Sequence, residues 1–532
     1  MSKMSPKAES TSSQIYRTES SSPGAVQDVS APQLRKNRSF ISVLGMSLAI
    51  TAVPYGVGGP LMSSIYGGGQ LSMFIGVLVV VFLQGAVALS LGELASRYPT
   101  SSGVYYWSYR LTENKRYQHS MAYFTGWVWL IGNWTIALSV NFGFASLIVA
   151  TVTMYQPEWT ATPNETLYIF FGICVMIFVL CAVADKALPL VDTAAAIWSV
   201  VTIVAILIAL SSTAKEGRHS ASYGLTHYDT SISGWEGFSF FIGLLPPAYA
   251  LSAIGMVMSM TEECAKPETE VPRAIAMCIP IGGVSMLAFV LPICLTLPPL
   301  EDVLSAPYGQ ALPFIIDTVT GSKPLSLALL IMVLMVTLFC SISITTTASR
   351  CTWALSRDGM LPFSRIWQRT LYNQPIYALA LVTVIEVCLG CINLGSTSAF
   401  TAFVSVGVIA LACAYLIPIA ISLACGRTEV SKAKWHLGAI GTMSNWVAVF
   451  WILFQLILFS MPSALPVTPE TMNYASVVFV GFLALCGVWY FAWGKRSECF
   501  AGKSVAQNAV VQLKDLRVSC SEASRVTALS TY

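Results

Sequence analysis

The feature that most limits this chain is a series of apolar runs, each about 20 residues or longer, separated by short polar breaks. A helix of that length crosses the ~30 Å hydrocarbon core of a bilayer. A soluble surface needs roughly a quarter of its residues charged, whereas here charged residues make up 10% and hydrophobic residues 55%. The sequence is that of an all-α polytopic membrane protein. Twelve runs read as spans, near 41–66, 72–96, 121–154, 167–184, 189–212, 236–261, 273–298, 325–355, 376–393, 398–425, 444–462 and 474–494. Residues 1–39 are polar, serine-rich and finally basic, and read as a disordered tail without a cleavable signal. Residues 495–532 read as a second polar tail.

With the N-terminus inside, one side collects Arg35, Lys36, Arg38, Arg97, Arg110, Lys186, Arg350, Arg357 and Arg427, among others. The other side keeps only Lys215, Arg218 and Lys323. The positive-inside rule then places both termini in the cytoplasm. Asn164-Glu165-Thr166 is an N-glycosylation sequon in the outer loop between spans 3 and 4. Asn37-Arg38-Ser39 and Asn133-Trp134-Thr135 show how readily such sequons arise by chance. The fourteen cysteines lie mostly in spans, at no metal-ligand or disulfide-framework spacing, and the four histidines fall in loops. No metal site, cofactor or nucleic-acid partner is expected. An enzyme is excluded for want of a nucleophile–base pair or nucleotide loop, and a channel for want of charge rings or a repeated filter.

Span 1 carries the sharpest local signal. Pro54, Gly56, Gly58, Gly59 and Pro60 fall inside seven residues midway along it. Proline removes a donor and crowds the preceding turn, and glycine weakens what helix is left. Unwound backbone at membrane depth survives only where protein or a watery cavity receives the freed groups; a packing kink is the plainer account. Span 6 supplies a counterpart in Pro246-Pro247-Ala248-Tyr249-Ala250-Leu251-Ser252-Ala253-Ile254-Gly255. Five spans separate the two starts, so they cross in opposite senses, as in inverted repeats covering about 41–212 and 236–425, with 444–494 appended. The expected substrate site takes N–H groups from Gly56, Val57, Gly58 and Gly59, which attract a carboxylate. Carbonyls from Ala250 to Gly255, including Ser252, Ala253 and Gly255 itself, face an ammonium, with Tyr249 lying over the ligand. A zwitterion satisfies both ends.

Further blocks carry a family resemblance. They are Gly68-Gly69-Gln70, then Gly92-Glu93-Leu94-Ala95-Ser96-Arg97-Tyr98-Pro99-Thr100-Ser101-Ser102-Gly103-Val104-Tyr105-Tyr106-Trp107, then Glu262-Glu263-Cys264-Ala265-Lys266-Pro267 with Val271-Pro272-Arg273. Ala348-Ser349-Arg350-Cys351-Thr352-Trp353 through Gly359 and Gly395-Ser396-Thr397-Ser398 complete them. In this order they resemble the amino acid–polyamine–organocation transporter superfamily, and more closely its fungal amino acid/choline branch. The resemblance implies a five-plus-five inverted-repeat (LeuT-like) core with broken helices 1 and 6. It implies a secondary active transporter of an amino acid or related amine in the plasma membrane, coupled to protons ahead of sodium. Gly255 departs from the family, since many relatives hold an acid there; Pro54 replaces a large aromatic, and Ser102-Gly103 replaces a glycine pair. A choline-like or alkaloid-like substrate stays open. The rival from another class is a nutrient sensor that signals through its tails.

Individual polar residues keep two readings each. Glu386, mid-span 9, is a proton-coupling group or a hydrogen-bonded structural carboxyl. Glu262, Glu263, Arg97, Arg350 and Arg357 form an inner gate or an ordinary solvated interface. Ser341, Ser343, Thr345, Thr346 and Thr347 serve an ion or ligand, or bond their own backbone. Asn133 and Asn141 face a cavity or join helices.

Overall fold

A computed structural model describes residues 38–494, apart from 184–186, 215–217, 265, 373, 395–396 and 469–471. Eleven helices among them are long and apolar enough to cross a membrane. They are Gln70–Arg97, Lys115–Tyr155, Pro163–Val183, Leu188–Thr213, Glu236–Glu263, Pro267–Thr296, Lys323–Arg357, Ile376–Leu394, Ser405–Ala424, Gly438–Leu458 and Ala475–Ala492. Span 1 escapes that length criterion because it is divided, into Phe40–Thr51, Val53–Gly56 and Met62–Tyr66. The expected tails lie outside the described residues, except that Arg38 is already buried against the bundle.

Span ends differ from the sequence reading for local reasons. Span 3 begins at Lys115 rather than 121, because Asn114 caps it by accepting the Arg116 N–H at 3.0 Å and the polar first turns continue the helix. Span 7 begins at Pro267 rather than 273: proline suits a first turn, whose N–H would be unpaired anyway, and Glu268 and Glu270 meet the positive end of the dipole.

Packing depends on small residues and buried amides. Spans 3 and 10 cross at paired glycines: a Cβ on Gly407 would lie 2.9 Å from the Ile136 nitrogen, and one on Gly132 would lie 3.0 Å from the Leu411 nitrogen. Backbones in lipid approach this closely only where side chains are absent. Gln84 in span 2, buried, donates to the Leu251 carbonyl of span 6 at 3.1 Å and accepts from the Trp451 indole of span 11 at 2.8 Å. One side chain thus ties three spans with satisfied polar atoms.

Among the described residues, Arg38, Arg97, Arg350, Arg357 and Arg427 form ion pairs at one end of the bundle, here called the basic face. There the segment between spans 10 and 11 is clamped to span 2 by Arg427–Glu93 at 2.6 Å and Arg97–Glu429 at 2.7 Å. Lys432 joins Glu429 at 2.6 Å. Hydrogen bonds from Lys432 and Arg97 hold the Glu429 carboxyl down to about 2.

Gly407→Leu should lower the thermal stability of the purified protein by about 1–3 kcal/mol equivalent, the usual cost of overpacking, measured as a melting shift in detergent. The depressed Glu429 carboxyl contributes its stabilisation fully above the ordinary carboxyl range and loses it as pH falls toward about 2. The stability difference between wild type and Glu429→Gln should therefore stay constant from mildly alkaline to mildly acid pH, and shrink only in strong acid.

Candidate functional site

The interruption of span 1 follows from one missing hydrogen. Pro54 has no N–H to give to the Ile50 carbonyl; the Cys340 thiol of span 8 approaches that oxygen at 3.4 Å instead. Ala52 turns to φ 39°, ψ 55°, a left-handed conformation that ends the first half-helix. The N–H groups of Tyr55 and Gly56 then both go to the Ala52 carbonyl, at 2.8 and 2.7 Å. The turn that would place Tyr55 on Thr51 is skipped, so the carbonyls of Ile50 and Thr51 end the first half-helix without their usual i+4 backbone donors.

This arrangement corrects the expected donor set. The Gly56, Val57 and Gly59 N–H groups are used within the turn, on the carbonyls of Ala52, Val53 and Tyr55 at 2.7, 3.0 and 2.7 Å. Gly58 N–H alone of the four has no acceptor among the described residues. The glycines serve close approach instead. A Cβ on Gly56 would lie 2.5 Å from the Thr51 carbonyl and 2.9 Å from the Ala250 Cβ of span 6. One on Gly58 would meet Leu312 at 2.5 Å.

Span 6 changes register rather than tearing open. Pro246 and Pro247 occupy the first turn of the helix Leu245–Ser252, where proline initiates rather than breaks. The change comes at Ala253, from which a 3₁₀ helix runs for 11 residues to Glu263. Hydroxyls support the tighter turn: Ser252 donates to the Tyr249 carbonyl, Ser259 to Met256 and Thr261 to Met258, each three residues back. Runs of 3₁₀ longer than about four residues are uncommon and often mark hinges.

Where the two interruptions meet lies a cavity of about 10 Å³, room for about one water. Tyr55, Gly56 and Thr51 line it from span 1, Tyr249, Ala250 and Ala253 from span 6, and Cys340 and Ile344 from span 8. The Tyr249 hydroxyl pairs with Ser139 at 2.8 Å, and the Tyr55 hydroxyl donates to the Val140 carbonyl at 3.4 Å, both on span 3. Of the expected substrate residues, Gly56, Tyr249 and Ala253 reach this cavity. Val57, Gly58, Gly59, Ser252 and Gly255 are not among its lining; Gly255 lies against the buried Tyr415 ring, 2.6 Å from where its Cβ would stand. Tyr55 went unassigned in the sequence, although it directly follows the proline that makes the break.

The acids that close span 6 are engaged at the basic face. Glu263 bridges Arg38 and Arg350, at 3.0 Å to each, and Arg38 also reaches Asp192 of span 5 at 2.7 Å. Ser343 donates to Asp192 at 2.8 Å. All four charges are buried. Beside them Arg357 grips Glu262 with two nitrogens at 3.0 Å, Ser101 donates to the same carboxylate, and the guanidinium lies 4.8 Å above the Trp353 ring. Tyr105 donates to Asp358, whose carboxyl burial pushes up against the opposing pull of Arg357. Glu262, Glu263 and Arg350 are thus brought together, whereas Arg97 stands apart on Glu429. Arg38 and Asp192 were missed: the first was counted with the tail, and the second was passed over in the opening turns of an apolar run.

Glu386 lies elsewhere, between spans 3, 4 and 9, with Asn141 at 2.8 Å and Cys174 at 3.8 Å. Asn164 is exposed in the first turn of span 4, inside a capping box formed by Thr162 and Glu165.

A profile described as amino acid permease matches residues 39–483. The chain is 27% identical over 483 residues to the choline transporter of Saccharomyces cerevisiae, across 89% of this chain and 84% of that one. It is 30% identical over 478 residues to the amino-acid permease BAT1 homolog of Oryza sativa subsp. japonica, across 86% of this chain and 91% of that one. The polyamine transporter TPO5 of Saccharomyces cerevisiae is 29% identical over 469 residues, across 85% and 75%. A divided first span, a register change in the sixth and a match along most of the chain agree: this protein belongs to the amino acid permease family and is a membrane transporter, not an enzyme.

Proposed function

We propose that this transporter carries a small amino-group solute, an amino acid in the first place, by alternating access driven by protons. In this reading the basic face and both termini are cytoplasmic, the membrane is the plasma membrane of a fungal-type cell, and the exposed Asn164 faces outward, open to glycosylation. The observation that supports it best is the meeting of two interrupted helices at a cavity without a charged side chain among its described lining residues. An ammonium group finds there the Ile50 and Thr51 carbonyls, at the negative end of a 12-residue half-helix. A carboxylate finds the Tyr55 and Tyr249 hydroxyls. A polyamine would bring several charges to a site with no acid to receive them. Choline is the second reading, favoured by two tyrosine rings able to face a quaternary ammonium.

The cavity is far too small for any such solute, and the ion pairs of Arg38, Asp192, Glu263 and Arg350 seal its basic side. Loading and release therefore require movement of spans 1 and 6. Opening inward separates buried pairs, and removing one member of such a pair costs roughly 3–5 kcal/mol. A change of that size is enough to reset the balance between closed and open states.

Purified protein in vesicles should take up labelled alanine saturably, faster with an inwardly directed proton gradient; labelled choline and spermidine test the alternatives. Saturable uptake of none of the three would sink the transport reading and favour the sensor. Gly56→Val should abolish uptake, since its side chain occupies the contact between spans 1 and 6, and a melting curve of the same variant in detergent separates lost transport from lost fold. Arg38→Ala should open the basic side, and peptide mass spectrometry should then find Cys340, now buried in the cavity wall, modified by maleimide at least tenfold faster, the ratio for about 1.4 kcal/mol.

A further inference from the structure

Among the described residues, the transport cavity and the ion pairs leave unused a buried carboxyl group without a cationic partner. Glu386 sits in span 9 with 1% of its surface exposed. Its Oε2 accepts the Asn141 Nδ2 amide at 2.8 Å and the Cys174 thiol at 3.8 Å. Among the described residues no lysine, arginine or histidine pairs with it. From span 4 it faces Cys174, and Cys181 lies two turns further along; from span 3 it faces the Asn141 amide, which in turn reaches the Thr345 hydroxyl of span 8 at 3.5 Å. The nearest cation along span 8, Arg350, is held by Glu263. An ionised carboxylate so placed, with a single good hydrogen bond, carries a penalty of several kcal/mol.

Two atoms of this pair are also unpaired: Glu386 Oε1 and Asn141 Oδ1 have no hydrogen-bond partner among the described residues. Both accept only, so neither can satisfy the other while Glu386 is charged. They belong to the two groups already joined by the Nδ2–Oε2 bond. A proton on Oε1 turns it into a donor toward Oδ1 and closes a two-bond ring between acid and amide. One proton thus removes both unsatisfied atoms and the uncompensated charge. A metal cation does this worse, because the Asn141 and Cys174 hydrogens already aimed at the carboxylate would face it.

The pair also grips the transport cavity from behind. Asn141 follows Val140, and Thr345, 3.5 Å from Asn141 Nδ2, follows Ile344; Val140 and Ile344 line the cavity. Toward the basic face, Cys181 contacts Thr346 at 3.5 Å, one helical turn before Arg350. Polar groups therefore run along span 8 from the acid–amide pair to the ion pairs that close the basic side.

We propose that Glu386 holds a proton shared with Asn141, and that this proton is the one exchanged with water during the transport cycle. The coupling half rests on the transporter reading; the protonation half does not. Glu386→Gln keeps the volume and both bonds of the ring. Infrared spectra of the full-length protein at neutral pH should contain a buried protonated-carboxyl C=O band that Glu386→Gln loses and Asn141→Leu shifts. A wild-type protein without that band overturns the proposal, and Asn141→Leu keeps the test open if Glu386→Gln does not fold. In vesicles, Glu386→Gln should still exchange labelled alanine or choline but lose accumulation against a gradient under a proton gradient. Accumulation equal to wild type overturns the coupling role. If wild-type protein moves neither probe, the transporter reading and the coupling half fall together, while the infrared band still decides on the proton.

Discussion

The structure turns on a backbone carbonyl denied its partner. In water the Ile50 oxygen would simply be hydrated, but in a bilayer an open peptide group must be met by protein or by cargo. Pro54 withholds its donor, Ala52 takes a left-handed conformation, and Tyr55 bonds one residue out of step, sharing the Ala52 carbonyl with Gly56. The neighbouring chain responds: Cys340 comes to the Ile50 carbonyl, and Ala250 packs where any Cβ on Gly56 would stand. The cavity is the small space left between these accommodations.

Charge is treated in the opposite way. Near the cavity it is absent from the described lining, and at the basic face it is concentrated and neutralised internally. Arg38, Arg350, Asp192 and Glu263 form a balanced set drawn from the threshold of span 1 and from spans 5, 8 and 6. Such a set contributes little net stability, because desolvation offsets attraction, yet losing one member is costly. It therefore suits a closure that must be specific in geometry and still able to separate.

Much of this was legible in the chain. Apolar runs placed the span ends to within about six residues, because lipid imposes length directly on sequence. The glycine and proline cluster of span 1 correctly marked an interruption. It did not reveal which groups are freed, since that depends on Ala52, a residue with no intrinsic taste for left-handed backbone. Pro246 and Pro247 misled in the other direction: the same residue type starts a helix at one position and breaks it at another. Glu262, Glu263 and Arg350 could be grouped by sidedness, but Arg38 and Asp192 join them only through tertiary packing. Asn141 and Glu386 are 245 positions apart, beyond any local pattern.

One consequence concerns the long 3₁₀ helix that ends span 6. A 3₁₀ helix rises about 0.5 Å more per residue than an α-helix. Rewinding its 11 residues from Ala253 to Glu263 would draw in roughly 5 Å of chain. Glu262 and Glu263 sit at its far end, so a local gain of one kind of turn over another becomes a pull on both carboxylates. Span 6 is thus a spring with its slack already paid out, and the arginines that hold its tip keep it extended.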